Sequence, residues 1–168
     1  MVTEEGLPLF TRMFEEVEAT RAESGTDEGA WARWSRGWTA EENRHGDLLK
    51  AYLTYTGRVD MRAVEVTIQH FLRNGFNPGI EKDPYGLFIY TTLQEKATQL
   101  SHGRTGRLAF RRGNKNLRDI CGIIAKEENG HWKFYKGVVK KIFEIDPEGA
   151  LLAYASLLNR KMEMPAKT

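Results

Sequence analysis

Two stretches of the chain place a glutamate and a histidine three residues apart: Glu42-Asn43-Arg44-His45 and Glu128-Asn129-Gly130-His131. Carboxylate oxygen together with imidazole nitrogen suits iron or manganese, and no thiolate lies near to favour a structural zinc site. One such pair means little, because Glu and His meet at that spacing by chance on many surface helices. What matters is the apolar spacing around each pair. The second pair interrupts the series Leu117, Cys121, Ile124, Glu128, His131, Tyr135, Val138, Ile142, whose steps alternate between four and three. The first interrupts Trp31, Trp34, Trp38, Glu42, His45, Leu49, Tyr52 in the same way. Steps of three and four keep residues on one face of a helix, so a carboxylate and an imidazole share the core-facing side with the apolar residues.

Two more carboxylates fall on apolar faces. Glu4 continues the series Leu7, Phe10, Phe14, Val17, and Glu95 lies on the face of Phe88, Thr98 and His102. The core-facing inventory is therefore four Glu and two His from four segments. A buried carboxylate without a compensating charge costs several kcal/mol or more, and four together also repel. Lys and Arg lie mostly off these faces. Two divalent ions against four carboxylates bring the net charge to zero, and Glu from two helices with Glu-x-x-His from two others is the ligand pattern of di-metal carboxylate bundles. Neighbouring Glu5, Glu41 and Glu127 leave the local choice of ligand open, since Glu41 is also one turn from His45. The i, i+3 rule favours Glu42 and Glu128. Cys121 reads as a small core residue, and His70 and His102 as structural or surface histidines.

The elements that must position these residues are helices. Spacing of three and four recurs along the chain and strand alternation is absent, which predicts helices over about 4–23, 28–56, 60–73, 83–112, 115–144 and 147–163. Asp83-Pro84 and Asp146-Pro147 read as N-caps followed by proline at the first helical position, and Pro8 falls near the start of the first helix. The expected architecture is all-α, a ferritin-like antiparallel four-helix bundle with additional helices. The 168 residues suit one domain, 1–168. Forty per cent hydrophobic and 29% charged residues exclude a wholly disordered chain. No apolar run approaches the roughly 18–20 residues that span a bilayer, nothing at the start reads as a secretory signal, and the single Cys121 excludes an internal disulfide and fits a reducing compartment. The expectation is a soluble, intracellular protein, not an integral membrane protein.

A net charge of +2 gives no global pull toward nucleic acid or an anionic membrane. Charge is nevertheless uneven. Lys96 to Lys141 holds twelve Lys/Arg and three acids, with Arg104, Arg107, Arg111, Arg112, Lys115 and Arg118 around one turn. That cluster reads either as a docking face for an acidic partner or as a solvated, arginine-rich helix end.

Long stretches of the sequence resemble the acyl-acyl carrier protein desaturases, the soluble stearoyl-type fatty acid desaturases. These stretches are Trp38-Thr39-Ala40-Glu41-Glu42-Asn43-Arg44-His45-Gly46-Asp47-Leu48-Leu49, Gly57-Arg58-Val59-Asp60-Met61-Arg62, Tyr90-Thr91-Thr92-Leu93-Gln94-Glu95, Phe143-Glu144-Ile145-Asp146-Pro147 and Met164-Pro165-Ala166. The resemblance covers essentially the whole chain. It implies two iron ions held by Glu4, Glu42, His45, Glu95, Glu128 and His131, with Thr98 matching a threonine beside the oxygen-binding side. It also implies ferredoxin as electron donor, O2 as oxidant, and removal of two hydrogens from adjacent methylenes of an acyl chain on acyl carrier protein. A homodimer is implied as well. The location would be a plastid stroma in a plant or alga and the cytoplasm in a bacterium.

Three departures from the family shape the expectations. Its members are about twice as long, so this chain matches their central portion, and Glu4 falls in a terminal turn that is expected to fray. Glu127 stands where plant members carry Asp, a change expected to act on His45. Tyr85-Gly86-Leu87-Phe88 inverts the family's Leu-Gly order, so Leu87 is expected to add bulk to the acyl channel and shorten the preferred chain. Other readings of the same residues are a different ferritin-like di-iron oxidase or ferroxidase, and a non-catalytic helical module that binds metal or a partner.

Overall fold

Residues 1–21, 27–80 and 82–160 are described by a computed structural model of the chain. Among them are six α-helices and no strand: α1 (Leu7–Glu16), α2 (Ala30–Thr56), α3 (Met61–Asn74), α4 (Pro84–Arg111), α5 (Lys115–Ile145) and α6 (Pro147–Asn159). The all-α reading holds, with one correction. The helix expected over 4–23 is broken into a 3-10 turn at Glu4–Gly6, α1, and a second 3-10 turn at Glu18–Thr20. Val17 leaves the helix with an extended ψ of 117°. The Thr20 hydroxyl donates to the carbonyls of Phe14 (2.5 Å) and Val17 (3.1 Å), a side-chain bond that competes with helix continuation. Residues 22–23 of that expected helix, the last residues 161–163 of the sixth, and the motif Met164-Pro165-Ala166 lie outside the described residues.

The remaining boundaries follow the punctuation in the sequence. Asp60 caps α3 by accepting from the backbone N–H groups of Arg62 (2.9 Å) and Ala63 (3.2 Å). Asp83 accepts from Tyr85 N (2.9 Å) ahead of Pro84, and Asp146 accepts from Gly149 N (2.9 Å) ahead of Pro147, so both Asp-Pro signals are N-caps. Pro8 sits in the first turn of α1, where no intrahelical donor is lost. α2 stops at Gly57, whose φ of 59° is left-handed and strained for any residue with a Cβ.

The chain divides into two compact units, one within Met1–Pro78 and the other within Gly79–Met162. In the first, the Glu4–Gly6 turn contacts α1, α2 and α3. Buried Phe10, Met13 and Phe14 of α1 supply its core, with the Phe14 ring 5.4 Å from both Trp31 and Trp38. In the second, α4 packs along α5 and α6 packs on both. A three-residue connection, Arg112 to Asn114, makes α4 and α5 an antiparallel hairpin. Phe88 and Tyr135 meet across it at 6.4 Å, and Lys96 Nζ lies 4.0 Å from the centre of the Trp132 ring. Nearer the turn, Gly106 lets the helices close: a Cβ there would lie 3.3 Å from Cys121 Cβ.

Candidate functional site

Within Met1–Pro78, the site is built from a turn and a helix. Glu42 and His45 are one turn apart on α2, and Glu4 comes from the 3-10 turn that leans on it. His45 is fully buried, Glu4 is buried and Glu42 is half-buried. His45 Nδ1 lies 3.7 Å from Glu42 Oε2 and 3.8 Å from Glu4 Oε2. Two glycines govern the approach of the turn. A Cβ on Gly6 would lie 2.7 Å from Phe71 Cε1 of α3, closer than real Cβ atoms come. One on Gly46, next to His45, would lie 3.3 Å from Glu5 Oε1 and 3.8 Å from Glu4 Cβ. The sequence reading did not identify either as a positioning residue. For Gly46, its place beside His45 was the available signal.

Within Gly79–Met162, the same residue types gather on the α4–α5 hairpin. His131 Nδ1 lies 3.6 Å from Glu95 Oε2 and 3.6 Å from Glu128 Oε2. All three residues are buried, as the stripe argument requires, along with Cys121, Ile124 and Tyr135 of the α5 series. Leu117, Val138 and Ile142, toward the ends of that series, are half-buried.

The donor chemistry fits a divalent metal in each unit. The ligand atoms of Glu4, Glu42 and His45 lie within 4.8 Å of one another, and so do those of Glu95, Glu128 and His131. Each set carries two carboxylates, which one divalent ion neutralises. The imidazole–carboxylate distances are longer than a hydrogen bond. They are close to the roughly 3.0–3.4 Å that separates two ligands of one ion at bond lengths of about 2.1 Å. Glu42 and Glu128 are in these sets, and Glu5, Glu41 and Glu127 are not.

The other sequence candidates fall outside both donor sets. Thr98 is half-buried one turn beyond Glu95, and its hydroxyl donates to the carbonyls of Glu95 (3.0 Å) and Gln94 (3.2 Å). Leu87 is completely buried in the first half of α4. His70 is exposed, whereas His102 is buried. Earlier on α4, burial raises the phenol pKa of Tyr90, whose hydroxyl lies 3.4 Å from Gln94 Oε1. No described helix is long and apolar enough to cross a membrane.

The described residues are all-α and carry two Glu-Glu-His donor sets of a kind that can hold a metal ion, and comparison with known proteins gives the family. The chain belongs to the fatty acid desaturase family, whose model matches residues 1–168. It is 51% identical over 166 residues to the chloroplastic stearoyl-acyl-carrier-protein 9-desaturase 2 of Oryza sativa subsp. indica. It is 49% identical to the chloroplastic palmitoyl-acyl-carrier-protein 4-desaturase 3 of Ophrys sphegodes, and 50% identical to the chloroplastic stearoyl-acyl-carrier-protein 9-desaturase 6 of Arabidopsis thaliana. Each match covers 99% of this chain and 42% of the relative, so the chain spans less than half the length of these relatives.

Proposed function

We propose that residues 1–168 form one ferritin-like desaturase domain that introduces a cis double bond into an acyl chain carried on acyl carrier protein. One observation carries the reading: two donor sets of identical composition, buried except for the half-buried Glu42, lie in a chain that the family model covers from end to end. Glu4, Glu42 and His45 would hold one iron ion, and Glu95, Glu128 and His131 a second, as a non-haem di-iron centre. When bound, iron supplies the redox chemistry with O2 that side chains lack. The net reaction consumes an acyl –CH2–CH2– unit, O2, two electrons from ferredoxin and two protons, and yields –CH=CH– and two waters.

The chain's own residues bind, orient and exclude water. Four carboxylates balance two divalent ions, and burial of His45, Glu95, Glu128 and His131 keeps solvent from the metals. Thr98 is proposed to line the oxygen side. Its hydroxyl proton is engaged by the Gln94 and Glu95 carbonyls, so its oxygen faces any incoming donor as an acceptor. Leu87 is proposed to narrow the acyl channel. A second copy of the chain is the proposed assembly partner. The activity is assigned to a plastid stroma in a plant or alga and to the cytoplasm in a bacterium, and the chloroplast address of the relatives supports the former.

The test is the iron-to-protein ratio of the folded chain after anaerobic loading with ferrous iron. A ratio near two is expected, and a ratio near zero in a well-folded sample sinks the reading. Turnover of acyl carrier substrates with reduced ferredoxin follows. Leu87→Gly is expected to move the preference from C16 toward C18 chains, and an unchanged profile removes Leu87 from the channel.

A further inference from the structure

We propose that the tip where α4 turns into α5 is an interfacial docking surface for an anionic lipid bilayer. From Arg104 to Asp119 the tip carries six cations and one acid: Arg104, Arg107, Arg111, Arg112, Lys115 and Arg118 against Asp119. All the cations are exposed except Arg118, which is half-buried, bonded to Asp119 at 2.7 Å and placed 5.8 Å from the centre of the Phe110 ring. Among them stand two large apolar side chains, Leu108 at 57% exposure and Phe110 at 62%. Arg104, Arg107, Leu108 and Arg111 follow one another at steps of three, one and three, which puts them on one face of α4.

The demands of folding do not account for this charge. Cations in the last turn of α4 complement its dipole, so Arg111 alone would be unremarkable. Lys115 opens α5, however, and Arg118 follows within the next turn, where the dipole favours acids; the first turn of α5 has none. Six like charges at one hairpin turn also repel one another. A surface that opposes the stability of its own helix points to a negatively charged partner.

Shape and apolar content choose among such partners. A folded acidic protein would have to supply a pocket for each protruding apolar side chain. A bilayer interface accepts a convex apolar point without a matching pocket, while its anionic headgroups meet the surrounding guanidinium groups. The low net charge of the whole chain hides this local concentration. The proposal is peripheral binding at one tip and is independent of the desaturase reading.

Flotation of the full chain with vesicles of phosphatidylcholine, with and without phosphatidylglycerol, tests it. Binding to the anionic vesicles is expected to exceed binding to neutral ones by roughly tenfold or more, and to fall at high salt. Arg107→Glu with Arg111→Glu should remove most of that excess, and Leu108→Ser with Phe110→Ser should weaken binding to both vesicle types. Circular dichroism confirms that the variants remain helical. Hydrogen exchange on the unmodified chain supplies a readout that needs no variant, with vesicle-induced protection expected in residues 104–119. Equal binding to neutral vesicles, no binding to anionic ones, or protection elsewhere overturns the proposal. So does capture of acidic acyl carrier protein by the tip without vesicle binding, which would make the surface a protein-docking site.

Discussion

In one donor set Glu4 depends on a three-residue 3-10 turn while Glu42 and His45 sit on the 27-residue α2, whereas in the other Glu95, Glu128 and His131 all sit well inside helices of 28 and 31 residues. The donor types and spacings are nearly the same: 3.7 and 3.8 Å in one set, 3.6 and 3.6 Å in the other. Their support differs. Glu4 alone of the six donors lies outside an α-helix. A carboxylate on a long packed helix is held by many turns of backbone hydrogen bonds, and one on a single 3-10 turn by its few tertiary contacts. Matching chemistry on unequal scaffolds should therefore give unequal metal sites.

The largest expected effect separates the two sets directly. Glu128→Ala should weaken ferrous binding by about 100-fold or more, and Glu4→Ala by nearer about 10-fold, because the turn has already spent more of its binding energy on ordering. Anaerobic titration against a chelator measures both. Equal losses would mean that the scaffold does not matter and would remove the distinction.

Next come the glycines that let each scaffold close. Gly6→Ala should cost about 1–3 kcal/mol of stability, since its methyl group meets the Phe71 ring at 2.7 Å. It should also weaken ferrous binding at the Glu4 set more than at the Glu95 set. Gly106→Ala meets Cys121 Cβ at 3.3 Å and should cost about 1 kcal/mol or less. Thermal unfolding and metal titration of the two variants check the order, and a Gly106 effect larger than the Gly6 effect would reverse it.

Smaller effects belong to the caps. Asp60→Ala and Asp146→Ala should each cost about 1 kcal/mol through loss of a capped helix N-terminus. Asp146 does more than cap, because the Tyr85 hydroxyl donates to its Oδ2 at 3.1 Å. A double-mutant cycle with Tyr85→Phe should show coupling at Asp146, and the same cycle with Asp60 should show none.

The smallest effect is a pH dependence. The hydrogen bond to Asp146, then desolvation, raises the Tyr85 pKa above its ordinary value of 10.0. Folding thus favours the neutral phenol. Its contribution is complete below the unfolded pKa and is lost as pH rises through the folded one. Stability of the native chain should decline more steeply in that alkaline range than stability of Tyr85→Phe. Denaturant unfolding at stepped pH checks this, and parallel curves would exclude the coupling.

Much of the molecule was legible in the sequence, for local reasons. Helical period and Asp-Pro caps depend on residues within a turn or two, so α2 to α6 were predicted to within a few residues. The first helix was not. Its apolar series continues through Val17, but the bond from Thr20 to Phe14 that competes with the helix spans six residues and leaves no periodic trace. That four Glu and two His sit on core-facing positions was also legible, because each interrupts an apolar series at helical spacing, and the structure brings their ligand atoms close together.

Packing decided what periodicity could not. It placed Glu42 rather than Glu41 and Glu128 rather than Glu127 within the donor sets, buried His102 while leaving His70 exposed, and made Gly6 the contact point of the turn that carries Glu4. The sequence by itself determined which residue types face inward, since a helix repeats every 3.6 residues wherever it packs. Only the tertiary structure decided which donor atoms stand within 4 Å of each other, because that distance depends on how a turn and its neighbouring helices close, and one methyl group is enough to change it.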